Sequence, residues 1–359
     1  MTPPPAGLRR AVHTSLPPWF EANRRDLPWR RNRTAYRVWI SELMLQQTRV
    51  DTVIPYFRRF LKRFPNVKAL AAAPLGDVLK AWEGLGYYTR ARNLHRAAQS
   101  IVRDHGGRFP ATHAGLLALP GVGPYSAAAI ASLAFGLDHA VLDGNVGRVL
   151  ARCLASDLPW GSAAARTFFQ AAADALLPRG RAGEFNEAMM ELGATVCTPR
   201  KPACPACPLR KACAAAKAGT PEKWPVRIAK KPVPTVRVAA AATKRSDGRI
   251  LIARRLEKGL LGGMWEFPGG KIHAGETPRE CVVRELREEL GITVEPGDLL
   301  TRVKHTYSHF KLDMDVYWAT LKGGRPRAIE CSDFAWALPA EMGKYAFSKA
   351  DLLVLQAIP

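Results

Sequence analysis

No run of about 18 uninterrupted apolar residues occurs in this 359-residue chain, which excludes a transmembrane helix. Acidic residues are scarce: Asp+Glu number 31 against Lys+Arg 53, a formal charge of +22. An excess of that size says little about fold and much about partners, favouring a polyanion, nucleic acid before a membrane surface. The first twenty residues, MTPPPAGLRRAVHTSLPPWF, lack a secretory apolar core and read as a frayed start. With no export signal, the seven cysteines argue for a reducing compartment and against a disulfide framework. Localisation is expected in the cytoplasm, at the nucleoid if the source is bacterial. What is present is 47% hydrophobic residues, enough to bury real cores and exclude wholesale disorder.

Composition changes twice along the chain. Up to about residue 195 it is rich in Ala, Leu and Arg with helical periodicity, as in 38–47, 74–82, 94–102, 124–135 and 163–177. A Pro- and Lys-rich stretch, WPVRIAKKPVPT, follows without an amphipathic pattern and reads as part of a linker over 217–234. Beyond it, VRVAAAATKRSDGRILIARR reads as two strands around a Ser-Asp-Gly turn, and 309–321 alternates like another strand. One helix, 278–290, lies between them. The expected organisation is an all-α domain over 8–216, then an α+β domain over 235–359. No internal repeat is visible.

Four cysteines, Cys197, Cys204, Cys207 and Cys213, are separated by six, two and five residues in a Pro-punctuated loop. Thiolates are soft ligands, and four so close in sequence can close around one centre. On the residues alone, zinc and an iron–sulfur cluster both stay open. Arg200, Lys201, Arg210 and Lys211 decorate the same loop with positive charge. Cys153, Cys281 and Cys331 show no such pattern and read as packing residues.

Upstream, Leu119-Pro120-Gly121-Val122-Gly123-Pro124 separates two helical stretches, within a helix-hairpin-helix over about 113–136, with Pro124 at a first helical position. Gly121 and Gly123 allow a tight turn whose N–H groups face an anion such as a DNA phosphate; a plain helix–helix turn is the alternative. About twenty residues on, Val141-Leu142-Asp143-Gly144-Asn145 places one carboxylate after an apolar run. Glu42, Gln46 and Arg49 follow i, i+4, i+7 spacing, which by itself is the polar stripe of an amphipathic helix.

LPGVG followed by VLDGNV resembles the helix-hairpin-helix DNA glycosylase superfamily, in which this aspartate is catalytic. The six-two-five cysteine loop is similar to the one closing the helical domain of endonuclease III-like members, where it holds a [4Fe–4S] cluster. Bifunctional members carry a lysine two residues after the hairpin's second glycine, whose amine attacks the sugar. Here that residue is Tyr125, which forms no imine, so base excision without a dedicated lyase step is expected. Ser41-Glu42-Leu43-Met44-Leu45-Gln46-Gln47-Thr48, Gly84-Leu85-Gly86-Tyr87-Tyr88, Leu27-Pro28-Trp29-Arg30 and Phe185-Asn186-Glu187 resemble the adenine DNA glycosylase (MutY-type) family.

The resemblance implies roles. Adenine leaves poorly until protonated, and its departure leaves a sugar cation, so a neutral carboxyl and an ionised one are both needed. Glu42 is then the acid and Asp143 the carboxylate facing the cation, supported by Tyr125 and Asn145. Glu187 reads the edge of the extruded base, Arg30 lies in the same DNA-facing set, and Gln47 and Tyr87 fill the gap in the stack.

In the C-terminal part, Gly270 to Ile292 fits the Nudix box without a gap. Thr277, Pro278, Glu280 and Gly291 specify its helix, and Glu285, Glu288 and Glu289 share one face that a magnesium ion would neutralise. An inherited fold without hydrolysis is the favoured reading there, with phosphoanhydride hydrolysis the alternative, since ligands alone do not make a productive site. The family uses this domain to read 8-oxoguanine on the opposite strand. Its Phe-Ser-His loop has a counterpart in Tyr307, Ser308 and His309, where tyrosine keeps the aromatic body. The expected partner is duplex DNA bearing an adenine opposite 8-oxoguanine or guanine, with no membrane and with the protein a monomer. Three rival readings are an endonuclease III-like lyase, a nucleotide pyrophosphohydrolase delivered to DNA, and an inactive binding protein. Tyr125 and the C-terminal domain count against the first, and the presence of both Glu42 and Asp143 counts against the third.

Overall fold

The computed structural model describes residues 3–228 and 232–359; three residues of the expected linker, 229–231, lie outside them. Among the described residues, thirteen α-helices precede the sheet: α1 Ala6–Thr14, α2 Leu16–Asn23, α3 Ala35–Leu45, α4 Val50–Arg63, α5 Val67–Ala72, α6 Leu75–Trp82, α7 Thr89–His105, α8 His113–Leu117, α9 Pro124–Phe135, α10 Gly144–Leu154, α11 Ala163–Leu176, α12 Ala182–Thr195 and α13 Ala214–Lys217. The chain divides into two compact units, residues 1–58 with 100–230 and residues 59–99 with 231–359.

The first unit is helical. Its core gathers Leu8, Val12, Leu16 and Phe20 with Val149, Leu150, Phe169, Met189 and Leu192. The expected frayed start is therefore wrong. Leu8, Val12, Leu16 and Phe20 recur every fourth residue and put one apolar stripe of α1 and α2 into that core. Pro17 falls in the first turn of α2, where its missing N–H costs nothing. The opening part of the expected linker is also tied down: Trp160 N–H donates to Val226 O at 2.8 Å and Trp224 Nε1 to Asp157 at 3.0 Å.

The second unit holds a seven-stranded sheet. Its strands are β1 Thr235–Lys244, β2 Ile250–Arg254, β3 Trp265–Glu266, β4 Gly269–Lys271, β5 Thr293–Thr306, β6 Lys311–Gly323 and β7 Asp333–Ala337. The order is β3-β2-β1-β6-β5, with β4 on β1 and β7 on β2; β1 and β6 run parallel and the other named strand pairs antiparallel. Alternation along β1 divides its alanines. Ala239 and Ala241 pack with Cys281, Val282, Leu286 and Leu290 of helix α14 (Pro278–Leu290), while Ala240 and Ala242 pack with Ala350 and Val354 of α15 (Lys349–Leu355). Helices thus cover both faces of the sheet. Residues 59–99, read as part of the N-terminal domain, belong to this unit: Lys80 Nζ donates to Tyr345 O at 2.9 Å, Phe347 N–H to Glu83 at 2.9 Å, and Arg92 Nη1 to Gly262 O at 2.8 Å.

Candidate active site

Three local features of the helical unit aim side chains into one space. α3 ends at Leu45, so the expected helical stripe does not continue through Gln46 and Arg49. Gln47 follows in the left-handed region, φ 59°, a conformation that costs a non-glycine residue and marks a backbone held by its surroundings. Glu42, in the last turn, is buried instead of solvated. In the hairpin, Gly121 has φ 71° and supplies the left-handed turn, Val122 N–H donates to Leu119 O at 3.1 Å, and Gly123 caps α9. Tyr125 then falls in the first turn of α9, and its phenol donates to Glu42 Oε2 at 2.5 Å.

Asp143 is the N-cap of α10. Its Oδ1 accepts from the backbone N–H of Asn145 (2.9 Å) and Val146 (2.7 Å), and Oδ2 accepts from Asn145 Nδ2 (2.9 Å). Burial pushes its pKa up, and those three donors at a helix N-terminus oppose the push. Asn145 Oδ1 in turn accepts from Arg148 Nη2 at 2.8 Å, and Arg148 Nε donates to Cys197 O at 2.7 Å. A chain of hydrogen bonds therefore runs from Asp143 to the cysteine loop.

A cavity of about 990 Å³ is lined by Arg30, Glu42, Gln46, Gln47, Tyr125, Asp143, Asn145 and Glu187, among others. The Glu42 pKa is pushed up to about 7, first by burial. The Tyr125 hydrogen bond and the Arg30 charge pull it down, while Asp143 and Glu187 add to the rise. Such a carboxyl is half protonated near neutral pH, the condition for donating a proton there. Glu187 accepts from Arg30 Nε (3.1 Å) and Arg33 Nη2 (2.5 Å).

Cys197, Cys204, Cys207 and Cys213 line a second cavity together with Cys153, Leu192, Val196 and Leu209. The buried Arg152 donates to Cys197 Sγ at 3.2 Å and to the carbonyls of Thr198, Pro199 and Trp224. An all-thiol donor set in an apolar shell, faced by a guanidinium, fits a soft, negatively charged centre. Among the described residues, no group of three or more His, Cys, Asp or Glu side chains is placed to hold a metal ion.

The same holds for the Nudix face. α14 starts with the expected Thr277–Glu280 capping box and ends on Gly291 at φ 67°. The carboxylates of the box are engaged within the protein, three of them by Arg284. Its guanidinium bridges Glu276 (2.7 Å), Glu285 (2.8 Å) and Glu288 (2.9 Å), while Glu289 turns inward to accept from Gly269 N–H at 3.3 Å. In the loop between β5 and β6, Tyr307 stacks on Phe310 at 4.9 Å, and Ser308 and His309 are exposed. Ser308 Oγ donates to the Tyr87 hydroxyl at 3.1 Å, joining residues 221 positions apart. Tyr87 is exposed and itself left-handed, φ 50°.

Residues 40–164 match the family described as HhH-GPD superfamily base excision DNA repair protein, and residues 239–357 match the NUDIX domain. The adenine DNA glycosylase of Homo sapiens is 36% identical over 396 residues, covering 95% of this chain and 72% of the human protein. The chain belongs to the adenine DNA glycosylase family. It is a base-excision DNA repair glycosylase, a hydrolase whose partner is DNA. The adenine DNA glycosylase of Buchnera aphidicola strain APS is 36% identical over 299 residues, 83% of each chain. A solved thermostable thymine-DNA glycosylase superposes with a TM-score of 0.53 at 29% identity, covering 59% of this chain and 97% of that one. In this family member the fold brings Glu42, Tyr125, Asp143, Asn145, Arg30, Gln47 and Glu187 around one cavity, and Tyr87 against Ser308. Sequence reasoning missed Arg25, Arg33, Arg148 and Glu191. The available signal was Glu191 itself, a carboxylate four residues after Glu187 among the apolar positions of α12.

Proposed function

We propose that the chain excises adenine mispaired with 8-oxoguanine or with guanine, by hydrolysis and without a dedicated lyase step. The observation that carries this is a pair of carboxyls, the buried Glu42 near pKa 7 and the half-buried Asp143, on one cavity with Tyr125 where a lyase would need an amine. Glu42 donates its proton to a ring nitrogen of the extruded adenine. The N-glycosidic bond then breaks with its electron pair going to the base, and the ionised Asp143 stabilises the sugar cation. Water adds to that cation and returns its proton to Glu42. The Glu187 carboxylate accepts from the base's exocyclic amine, and Asn145 holds Asp143 in place. The hairpin at Gly121 and Gly123 grips a phosphate. Tyr307, Ser308 and His309 read the opposite base, with Tyr87 and Gln47 filling the stack.

We further propose that Cys197, Cys204, Cys207 and Cys213 hold a [4Fe–4S] cluster. When bound, such a group closes the loop and fixes its basic surface rather than taking part in bond cleavage. The test is a panel of duplexes carrying adenine opposite 8-oxoguanine, guanine or thymine, and one carrying an oxidised pyrimidine, each resolved with and without alkali. Alkali-dependent breaks at adenine in the first two duplexes support the reading. Alkali-independent cleavage at the pyrimidine would replace it with a lyase.

A further inference from the structure

One helical turn beyond Glu187, α12 carries a carboxylate that no sequence motif singled out. The Glu191 side chain is 1% exposed, a costly place for a charge unless it is paired and hydrogen-bonded. Arg25 supplies three donors: Nε to Oε1 at 2.7 Å, Nη2 to Oε2 at 3.0 Å and the backbone N–H to Oε1 at 3.1 Å. Arg30 Nη2 adds a fourth, to Oε2 at 3.0 Å. The remaining nitrogens of Arg30 are also engaged, Nε with Glu187 at 3.1 Å and Nη1 with Arg25 O at 2.8 Å, and its guanidinium lies 5.3 Å from the Phe20 ring centre. Arg30 therefore cannot turn without giving up a bond to one of two carboxylates or to a carbonyl.

We propose that Glu191 is a positioning residue for base excision: by fixing Arg25 and Arg30 it sets how much of the Arg30 charge falls on Glu187 and Glu42. This rests on the adenine-excision reading above. The groups acting on Glu42 are Tyr125 from α9, Asp143 at the cap of α10, Glu187 from α12, and Arg30 from the turn Pro28–Arg30. Only the last is a cation, and Glu191 is its second counter-ion. Neutralising Glu191 leaves Arg25 and Arg30 with one anion fewer, so more positive potential reaches Glu42 and its ionised form is favoured. Removing Arg25 acts in the opposite sense. Glu191 then spends its charge on Arg30 alone, and the acid form of Glu42 gains.

The experiment titrates Glu42 by carboxyl ¹³C NMR in the full chain, with the resonance assigned by its loss in Glu42→Gln. Wild type, Glu191→Gln, Glu191→Asp and Arg25→Gln are compared, alongside single-turnover adenine release across pH. In Glu191→Gln the Glu42 midpoint should fall by about one unit, so release drops about tenfold near pH 8 and little near pH 5. Glu191→Asp should restore part of the loss, and Arg25→Gln, at a side chain 38% exposed, should move the midpoint upward. Superimposable Glu42 titrations, with any rate loss uniform across pH, would overturn the inference and leave Glu191 a packing charge. Should Glu191→Gln fail to fold, an unmoved midpoint in Arg25→Gln overturns it equally. If the midpoints move as stated but no mispair yields adenine, the positioning role stands and the substrate reading falls.

Discussion

The Tyr125 hydroxyl donates to Glu42 at 2.5 Å, linking the first turn of α9 to the last turn of α3. Burial is the largest influence driving the Glu42 carboxyl upward, with Asp143 and Glu187 adding to it, and this bond to its ionised form is the largest opposing influence. The balance leaves a donor that is protonated below about pH 7 and spent above it. Tyr125→Phe removes the opposing bond, so Glu42 should hold its proton to higher pH. The basic limb of the single-turnover rate profile is expected to move upward, by about one unit. A limb that stays in place, or moves down, would separate Tyr125 from the acid.

The same burial has a cost for the fold. A carboxyl whose folded pKa is raised contributes stability that is full below its unfolded value near 4.5 and lost as pH rises through about 7. Glu42→Gln abolishes that dependence. Relative to wild type, the variant should gain stability as pH rises from about 5 to 8, up to about 3 kcal/mol. Denaturant melts at both ends of the range measure the difference. An equal gap between the two proteins at both pH values would contradict the burial argument.

Tyr125→Lys places an amine where the lyase members of the superfamily carry one. With the abasic product in the cavity, that amine can add to the opened sugar aldehyde and lose water to give an imine. Borohydride should trap some covalent protein–DNA adduct in this variant and none in wild type. Trapping with wild type through another residue would remove Tyr125 as the ground for proposing that no lyase step occurs.

Cys204→Ser should cost folding or DNA affinity more than the chemical step, because the binding energy of a centre shared by the four thiolates would be folding energy of the loop. Purified wild-type protein is expected to contain about four irons per chain and a broad visible absorption band. Stoichiometric zinc in a colourless protein would contradict the cluster assignment.

How far the sequence reaches is clearest at particular elements. The ends of α9 and α14 are readable to the residue because Pro124, Gly136, Thr277, Pro278 and Gly291 are explicit start and stop signals. α1 and α2 are not, since prolines at 3–5 and 17–18 mask a fourfold repeat of Leu8, Val12, Leu16 and Phe20. Glu42 is ambiguous for another reason. A carboxylate on a helix is solvated or buried according to what packs over it, and Tyr125 lies 83 residues away. The assignment of residues 59–99 to the sheet-containing unit is invisible locally, because their composition matches the helices on either side. Glu285, Glu288 and Glu289 show the limit of helical spacing: it puts carboxylates on one face, but their partners differ, Arg284 for the first two and Gly269 N–H for the third.

Asp143 offers the most direct test of the central claim, that two carboxyls of opposite protonation state excise adenine here. In Asp143→Asn the amide oxygen still accepts from the backbone N–H groups of Asn145 and Val146, so the cap of α10 is preserved while the charge is lost. Free adenine released from a duplex with adenine opposite 8-oxoguanine is measured by chromatography under single-turnover conditions, with duplex binding followed in parallel. Wild type should release one adenine per bound duplex, whereas Asp143→Asn should bind comparably and release it at least about a hundredfold more slowly. Release by Asp143→Asn at the wild-type rate, or no adenine from wild type, would contradict the account.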